Sequence, residues 1–110
     1  MKSGRFETDP VLQEFLERIS ALKPRIERII LFGSRARDDW RPDSDYDLLL
    51  IVDKKDFGLR DRLYDAVVDV LLNTGRQISL KIFPKEEFER LSHLQTPFMK
   101  NVLAEGIALG

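Results

Sequence analysis

Asp45 and Asp47, two positions apart, are the side chains of this sequence best placed to do chemistry. They open an apolar run, Leu48 to Val52, that reads as a strand buried in a core. Alternate side chains on a strand share a face and rise ~3.3 Å per residue, so the two carboxylates stand about 7 Å apart at their roots and converge at their tips. Hard divalent cations take that arrangement, and Mg2+ is typically held by one or two carboxylates plus the phosphates of a substrate. Upstream, Gly33-Ser34 follows a second apolar run, Ile29 to Phe32. A glycine lets backbone come close to a ligand, and the N–H groups at a helix start favour anions. A phosphate cradle beside a carboxylate pair is the minimum equipment for metal-assisted phosphoryl or nucleotidyl transfer.

Holding these groups requires strands with a turn between them, and the apolar periodicity supplies both. Ile26 to Phe32 reads as a first strand, with Ile29-Ile30-Leu31-Phe32 buried on both faces. Ser34 to Asp38 reads as a short basic helix and Asp39 to Ser44 as a polar loop containing Trp40 and Pro42. Tyr46 to Val52 is the second strand, with Asp45 at its mouth. Ahead of these, Asp9-Pro10 caps a helix whose Leu12, Phe15, Leu16, Ile19 and Leu22 recur at helical spacing up to Pro24. Behind them, Lys54 to Gly58 is a turn. Leu59 to Leu72 is a helix burying Leu59, Leu63, Ala66, Val67, Val70 and Leu71, with Gly75 placed to end it.

Gln77 to Phe83 alternates, sending Ile78, Leu80 and Ile82 one way and Gln77, Ser79, Lys81 and Phe83 the other. Pro84 opens a helix through Leu91, and Thr96-Pro97 opens another carrying Phe98, Val102 and Leu103 and closing at Gly106. Strands alternating with helices predict an α/β sandwich, one sheet with helices packed on it. The first helix and the helix over 59–72 are expected on that sheet.

The chain has 110 residues, which predicts a single domain over 1–110 with one core. Lys and Arg number 18 against 19 Asp and Glu, so no global basic field exists to grip a long nucleic-acid duplex. With no cysteine and one histidine, His93, thiolate centres and histidine-rich zinc sites are excluded. The longest apolar run is too short to span a bilayer, and the N-terminus has no apolar stretch resembling a secretion signal. A cytoplasmic protein is expected.

Gly33-Ser34, Ala36-Arg37 and, after a short polar loop, Ser44-Asp45-Tyr46-Asp47-Leu48 resemble the signature of the minimal nucleotidyltransferases, the small branch of the DNA polymerase beta-like superfamily. Glu105-Gly106-Ile107 resembles the usual end of such domains, so the resemblance covers nearly the whole chain. It implies a single mixed β-sheet of the α/β (α+β) kind, ATP as substrate and Mg2+ as cofactor. Asp45 and Asp47 become catalytic metal ligands, and Gly33, Ser34, Arg37 and Ser44 become phosphate-binding residues. Arg35 and Arg41 are surface charges or further phosphate clamps, and Trp40 either anchors its loop or stacks on a base. His93 is expected at the surface, and Phe15, Phe32, Phe88 and Phe98 in the core.

The family pattern also places a third carboxylate on a neighbouring strand, giving three acids for two metal ions. Here that strand is Gln77 to Phe83, which contains no acid. Gln77 or Ser79 falls at the third position, and Lys81 shares their face. One Mg2+ is therefore expected rather than two, unless an acid such as Asp69 or Glu7 arrives from elsewhere. Minimal nucleotidyltransferases resemble one half of two-component systems whose other half is an all-helical HEPN protein acting as toxin. Some members adenylylate a tyrosine of that partner. The resemblance thus implies AMP transfer from ATP to a hydroxyl of a HEPN-type partner. The alternative is an antitoxin-type binding module that has lost catalysis and neutralises its partner by complex formation. A homo-oligomer stays open.

Overall fold

The computed structural model describes residues 9–33, 36 and 45–109, so the expected helix over 34–38 and loop over 39–44 lie outside the described residues. Asp9 begins the fold: its Oδ1 accepts the N–H groups of Val11 at 2.9 Å and Leu12 at 3.2 Å, capping α1 (Pro10–Arg18). The α-helix stops earlier than its apolar spacing suggests, and Ser20–Arg25 continues as a 3-10 helix with Pro24 inside it. Pro24 has no N–H to give the Ser20 carbonyl and its ring crowds that carbonyl, so α-helical geometry cannot continue.

Strands β1 (Ile26–Phe32) and β2 (Tyr46–Val52) have the expected bounds. They pair antiparallel, with Leu31 opposite Leu48 and Phe32 opposite Asp47. Helix α2 (Phe57–Thr74) crosses from β2 to β3 (Ile78–Pro84), which lies parallel to β2. Helices α3 (Lys85–Leu94) and α4 (Pro97–Glu105) follow. A fourth strand, β4 (Ile107–Leu109), pairs antiparallel with β1, completing a mixed sheet in the order β3-β2-β1-β4. This strand was not anticipated: three residues cannot show alternation, and β4 exists because β1 has an open edge to receive it.

The sheet is buried on both faces. One face carries Leu31, Leu48, Leu50 and Leu80 against Phe15 of α1 and Leu63, Ala66 and Val70 of α2, as expected for those two helices. The other carries Ile30, Leu49 and Ile51 against Phe88 of α3 and Met99 and Val102 of α4. Two helical positions depart from expectation. Leu71 is 40% exposed, because a step of about 100° per residue carries it past the buried line of Leu63, Val67 and Val70. Leu103 is 55% exposed, and Met99 fills the core position instead, one turn before Val102. Phe15 and Phe88 are core residues, whereas Phe32 is half-buried and Phe98 is exposed. His93 is exposed in the last turn of α3, as expected.

Candidate functional site

The β1–β2 register carries Gly33 to the carboxylates. Phe32 ends β1 opposite Asp47, so the next residue, Gly33, passes directly beside that side chain. Gly33 has φ of 77°, and a Cβ built on it would overlap Asp47 Oδ2 and lie 3.2 Å from Asp47 Cγ. An L side chain is disfavoured there twice, by the left-handed backbone and by the absence of space. The Gly33 carbonyl accepts the Ala36 N–H at 3.1 Å, which turns the chain immediately after this contact, and Ala36 is buried. Backbone and carboxylate are thus brought together at a turn.

Asp45 and Asp47 lie on the face of β2 shared with Leu49 and Ile51, since strand side chains alternate. Asp45 is exposed at the strand mouth and Asp47 is half-buried. The intervening Tyr46 points to the opposite face and is buried there, its hydroxyl donating to Asp9 Oδ2 at 2.8 Å. Asp9 therefore caps α1 with one oxygen and fixes the residue between the two aspartates with the other. Sequence periodicity could not reveal that link, because it joins residues 37 apart in the chain.

The parallel register separates the two candidates for the third position. Asp47 is opposite Ser79, and Leu49 is opposite Lys81. Phe32, Asp47 and Ser79 therefore form one row across β1, β2 and β3. Gln77 lies one step outside the strand, its carbonyl accepting the Tyr46 N–H at 3.1 Å. Asp69 cannot be the missing acid. It sits on α2, on the opposite face of the sheet from Asp47, and Arg18 Nη1 approaches its Oδ2 at 3.5 Å. Among the described residues no group of three or more histidine or acidic side chains could hold a metal ion. Ser34, Arg37 and Ser44, like Arg35, Arg41, Trp40 and Glu7, lie outside the described residues.

An aromatic pair borders Asp47 on the other side. Phe32 and Phe98 meet edge to face, with ring centroids 5.5 Å apart and planes at 87°. Phe98 comes from α4, so its position beside the row depends on how the last helix docks. The arrangement offers two carboxylates on one face, the backbone turn at Gly33 beside one of them and an apolar shoulder. That donor set suits a hard cation with a polyphosphate, and the space a Cβ would fill at Gly33 is occupied by the Asp47 carboxylate itself. A cavity of about 470 Å³ elsewhere, between α2 and β3, is lined by Phe57, Arg60, Tyr64 and Lys81 and by none of Gly33, Asp45 or Asp47.

Comparison with known proteins agrees with this geometry. Residues 12–109 match the nucleotidyltransferase domain family. A Methanocaldococcus jannaschii protein provisionally named a protein adenylyltransferase is 35% identical over 102 residues, covering 92% of this chain and 96% of its own length. Among solved structures, a chain of a toxin–antitoxin assembly crystallised with AMP-PNP superimposes with a TM-score of 0.57 at 16% identity, over 89% of this chain and 71% of that one. A mutant of the MntA–HpeT toxin–antitoxin pair gives 0.55 at 14% identity, over 89% of this chain and 70% of that one. At those identities the structural likeness establishes the fold.

Proposed function

The chain belongs to the nucleotidyltransferase domain family, and from that membership we propose that it transfers AMP from ATP to a hydroxyl group of a partner protein. The observation that supports the reading is the close approach of the Gly33 backbone to the Asp47 carboxylate, which sets the turn proposed to hold phosphate beside the pair proposed to hold the metal. The relative named for protein adenylyl transfer, matched along nearly its whole length, supports AMP as the group transferred and protein as the acceptor.

In this reading Asp45 and Asp47 hold Mg2+, which when bound neutralises charge on the triphosphate. The Gly33-Ser34 backbone holds phosphate oxygens, with Arg37 and Ser44 as further phosphate contacts on the strength of the sequence pattern. The acceptor hydroxyl oxygen bonds to the α-phosphorus, the bond from that phosphorus to the α,β-bridging oxygen breaks, and pyrophosphate leaves. The hydroxyl proton passes to solvent or to the carboxylate nearest the acceptor. A HEPN-type helical protein is the partner proposed, acting within a cytoplasmic toxin–antitoxin pair.

One observation favours the second reading, an antitoxin-type module that binds without transferring. Ser79, one of the two candidates for the third acid, stands opposite Asp47 and carries no charge. The test is incubation of the protein and the product of its neighbouring gene with labelled ATP. The expected result is addition of one AMP to the partner, abolished in the Asp45→Asn, Asp47→Asn double variant. A tight complex that never acquires label would establish the binding reading instead.

A further inference from the structure

Strand β3 ends the sheet, and its outer edge has no strand beside it. Its register with β2 decides which backbone groups that edge displays. Tyr46 is level with Ile78 and gives its N–H to the Gln77 carbonyl at 3.1 Å. In a parallel pair this pattern turns the backbone of Ser79, Lys81 and Phe83 inward to β2 and that of Ile78, Leu80 and Ile82 outward. The Tyr64 hydroxyl agrees, approaching the Leu80 carbonyl from α2 at 3.5 Å. Among the described residues no other hydrogen bond reaches these outward groups. A row of unpaired backbone donors and acceptors on a sheet edge is satisfied best by another extended backbone.

The cavity beside this edge sets what that backbone must carry. Phe57, 65% exposed, and Tyr64 form its α2 wall, and Leu80 and Ile82 lie on the same face of the sheet. Lys81 projects to the opposite face, so a strand laid on the edge presents alternate residues to the aromatic wall and to Lys81. Three cations line the cavity: Lys55 stands over the Phe57 ring and Arg60 over the Tyr64 ring, each at 5.3 Å, and Lys81 is exposed. None of the three has an ion-pair partner among the described residues. Of the two acids there, Asp56 is held by Arg25 and the Leu59 N–H, which leaves Glu87 alone against them. Asp61 follows Arg60 on α2 but is turned about 100° from it and does not line the cavity. Arg62, Asp65 and Asp69 lie with Arg18 on the flank toward α1 and take no part.

We propose that the β3 edge binds an extended segment of a partner protein in which acidic residues alternate with apolar ones, added as a fifth strand. The apolar residues cover Phe57 and Tyr64. The acids stand across from Lys81, with Arg60 and Lys55 adding to the attraction. Ile78 to Ile82 offers pairing over about 16 Å, and Pro84, which has no N–H, ends it. A second copy of β3 fits poorly, because Lys81 is the middle residue of the strand and a twofold pairing there sets lysine against lysine. The inference is independent of nucleotidyl transfer, since binding at this edge needs neither nucleotide nor metal.

The test uses the full chain and a fluorescein-labelled peptide of about ten residues, valine alternating with glutamate, followed by anisotropy at low salt. Saturable binding is expected. Lys81→Glu, a change at an exposed side chain, should weaken it at least about tenfold with unchanged circular dichroism, and so should replacing the peptide's glutamates by lysine. Methylating the peptide's valine nitrogens or its glutamate nitrogens separates strand addition from charge attraction. A paired strand turns only one of these sets of N–H groups to β3, so one methylation should abolish binding and the other spare it. Amide exchange at Leu80 and Ile82 should slow in the complex. The proposal is overturned by absence of saturable binding, by indifference to Lys81→Glu or to the lysine peptide, by equal effects of the two methylations, or by unchanged exchange at Leu80 and Ile82. Slowing of that exchange in the free chain as its own concentration rises would place a second copy on the edge and overturn it too.

Discussion

Gly33 lies directly against the Asp47 carboxylate, in a left-handed conformation with φ of 77°. The contact is a product of register: β1 ends at Phe32, opposite Asp47, so the chain must turn over that side chain on its way out of the sheet. One residue thus serves the turn and the site together.

Replacing Gly33 by Ala should therefore cost more than the backbone strain alone. Gly75 provides the comparison, having φ of 74° at the end of α2 and no atom within 4 Å of where its Cβ would be. Gly75→Ala is expected to cost about 1 kcal/mol, the ordinary price of an L residue in that region. Gly33→Ala is expected to cost about 2–3 kcal/mol and to weaken Mg-ATP binding, since Asp47 must move. Urea denaturation midpoints at constant slope measure the first quantity and calorimetry the second. Equal stability losses at the two positions would show that the Asp47 contact is readily relieved.

Ser79 stands level with Asp47, whereas Gln77 lies beyond the end of β3. Restoring an acid at 79 should therefore matter and at 77 should not. Ser79→Asp is expected to raise AMP transfer by at least about tenfold, equivalent to ~1.4 kcal/mol of added transition-state stabilisation, with Gln77→Glu close to the parent. Lys81→Ala, two residues further along the same face, separates removal of a cation from addition of a ligand. A larger gain from Gln77→Glu would mean that the acceptor enters from the strand mouth and that the second metal position is offset toward Asp45.

Away from the site, Arg25 clamps the start of β1 to the end of β2. Its Nε and Nη2 donate to Asp53 at 3.2 Å each, and its Nη1 donates to Asp56 at 2.9 Å. Asp56 also caps α2, accepting the Leu59 N–H at 3.1 Å. Hydrogen bonding from Arg25 holds Asp53 below the usual carboxylate value of 3.8. The Leu59 N–H, followed by Arg25, does the same for Asp56. A carboxylate whose pKa is depressed on folding contributes stability above its unfolded value and loses it as pH falls through the folded one. Arg25→Gln is accordingly expected to lower the urea midpoint by a constant amount between about pH 7 and 5, and by less near pH 3. A gap that persists undiminished at low pH would assign the cost to lost packing of the arginine stem.

Local pattern alone determined much of this protein. The bounds of β1 and β2, the Asp9 cap, the Gly75 helix end and the common face of Asp45 and Asp47 were legible because each depends on neighbours within one turn or one strand. So was the family, because Gly33, Asp45 and Asp47 keep their identities and spacing whatever the rest of the chain does. What lay beyond the sequence depends on pairing between distant segments. Nothing in Ile107–Leu109 says strand until β1 offers an edge. Phe98 reads as core until α4 docks it edge-on against Phe32, and Leu71 reads as core until α2 settles at one rotation on the sheet. The choice between Gln77 and Ser79 was undecidable from alternation, since both share a face. Only the parallel β2–β3 register, set by burying Leu48 and Leu50 beside Leu80, puts Ser79 next to Asp47.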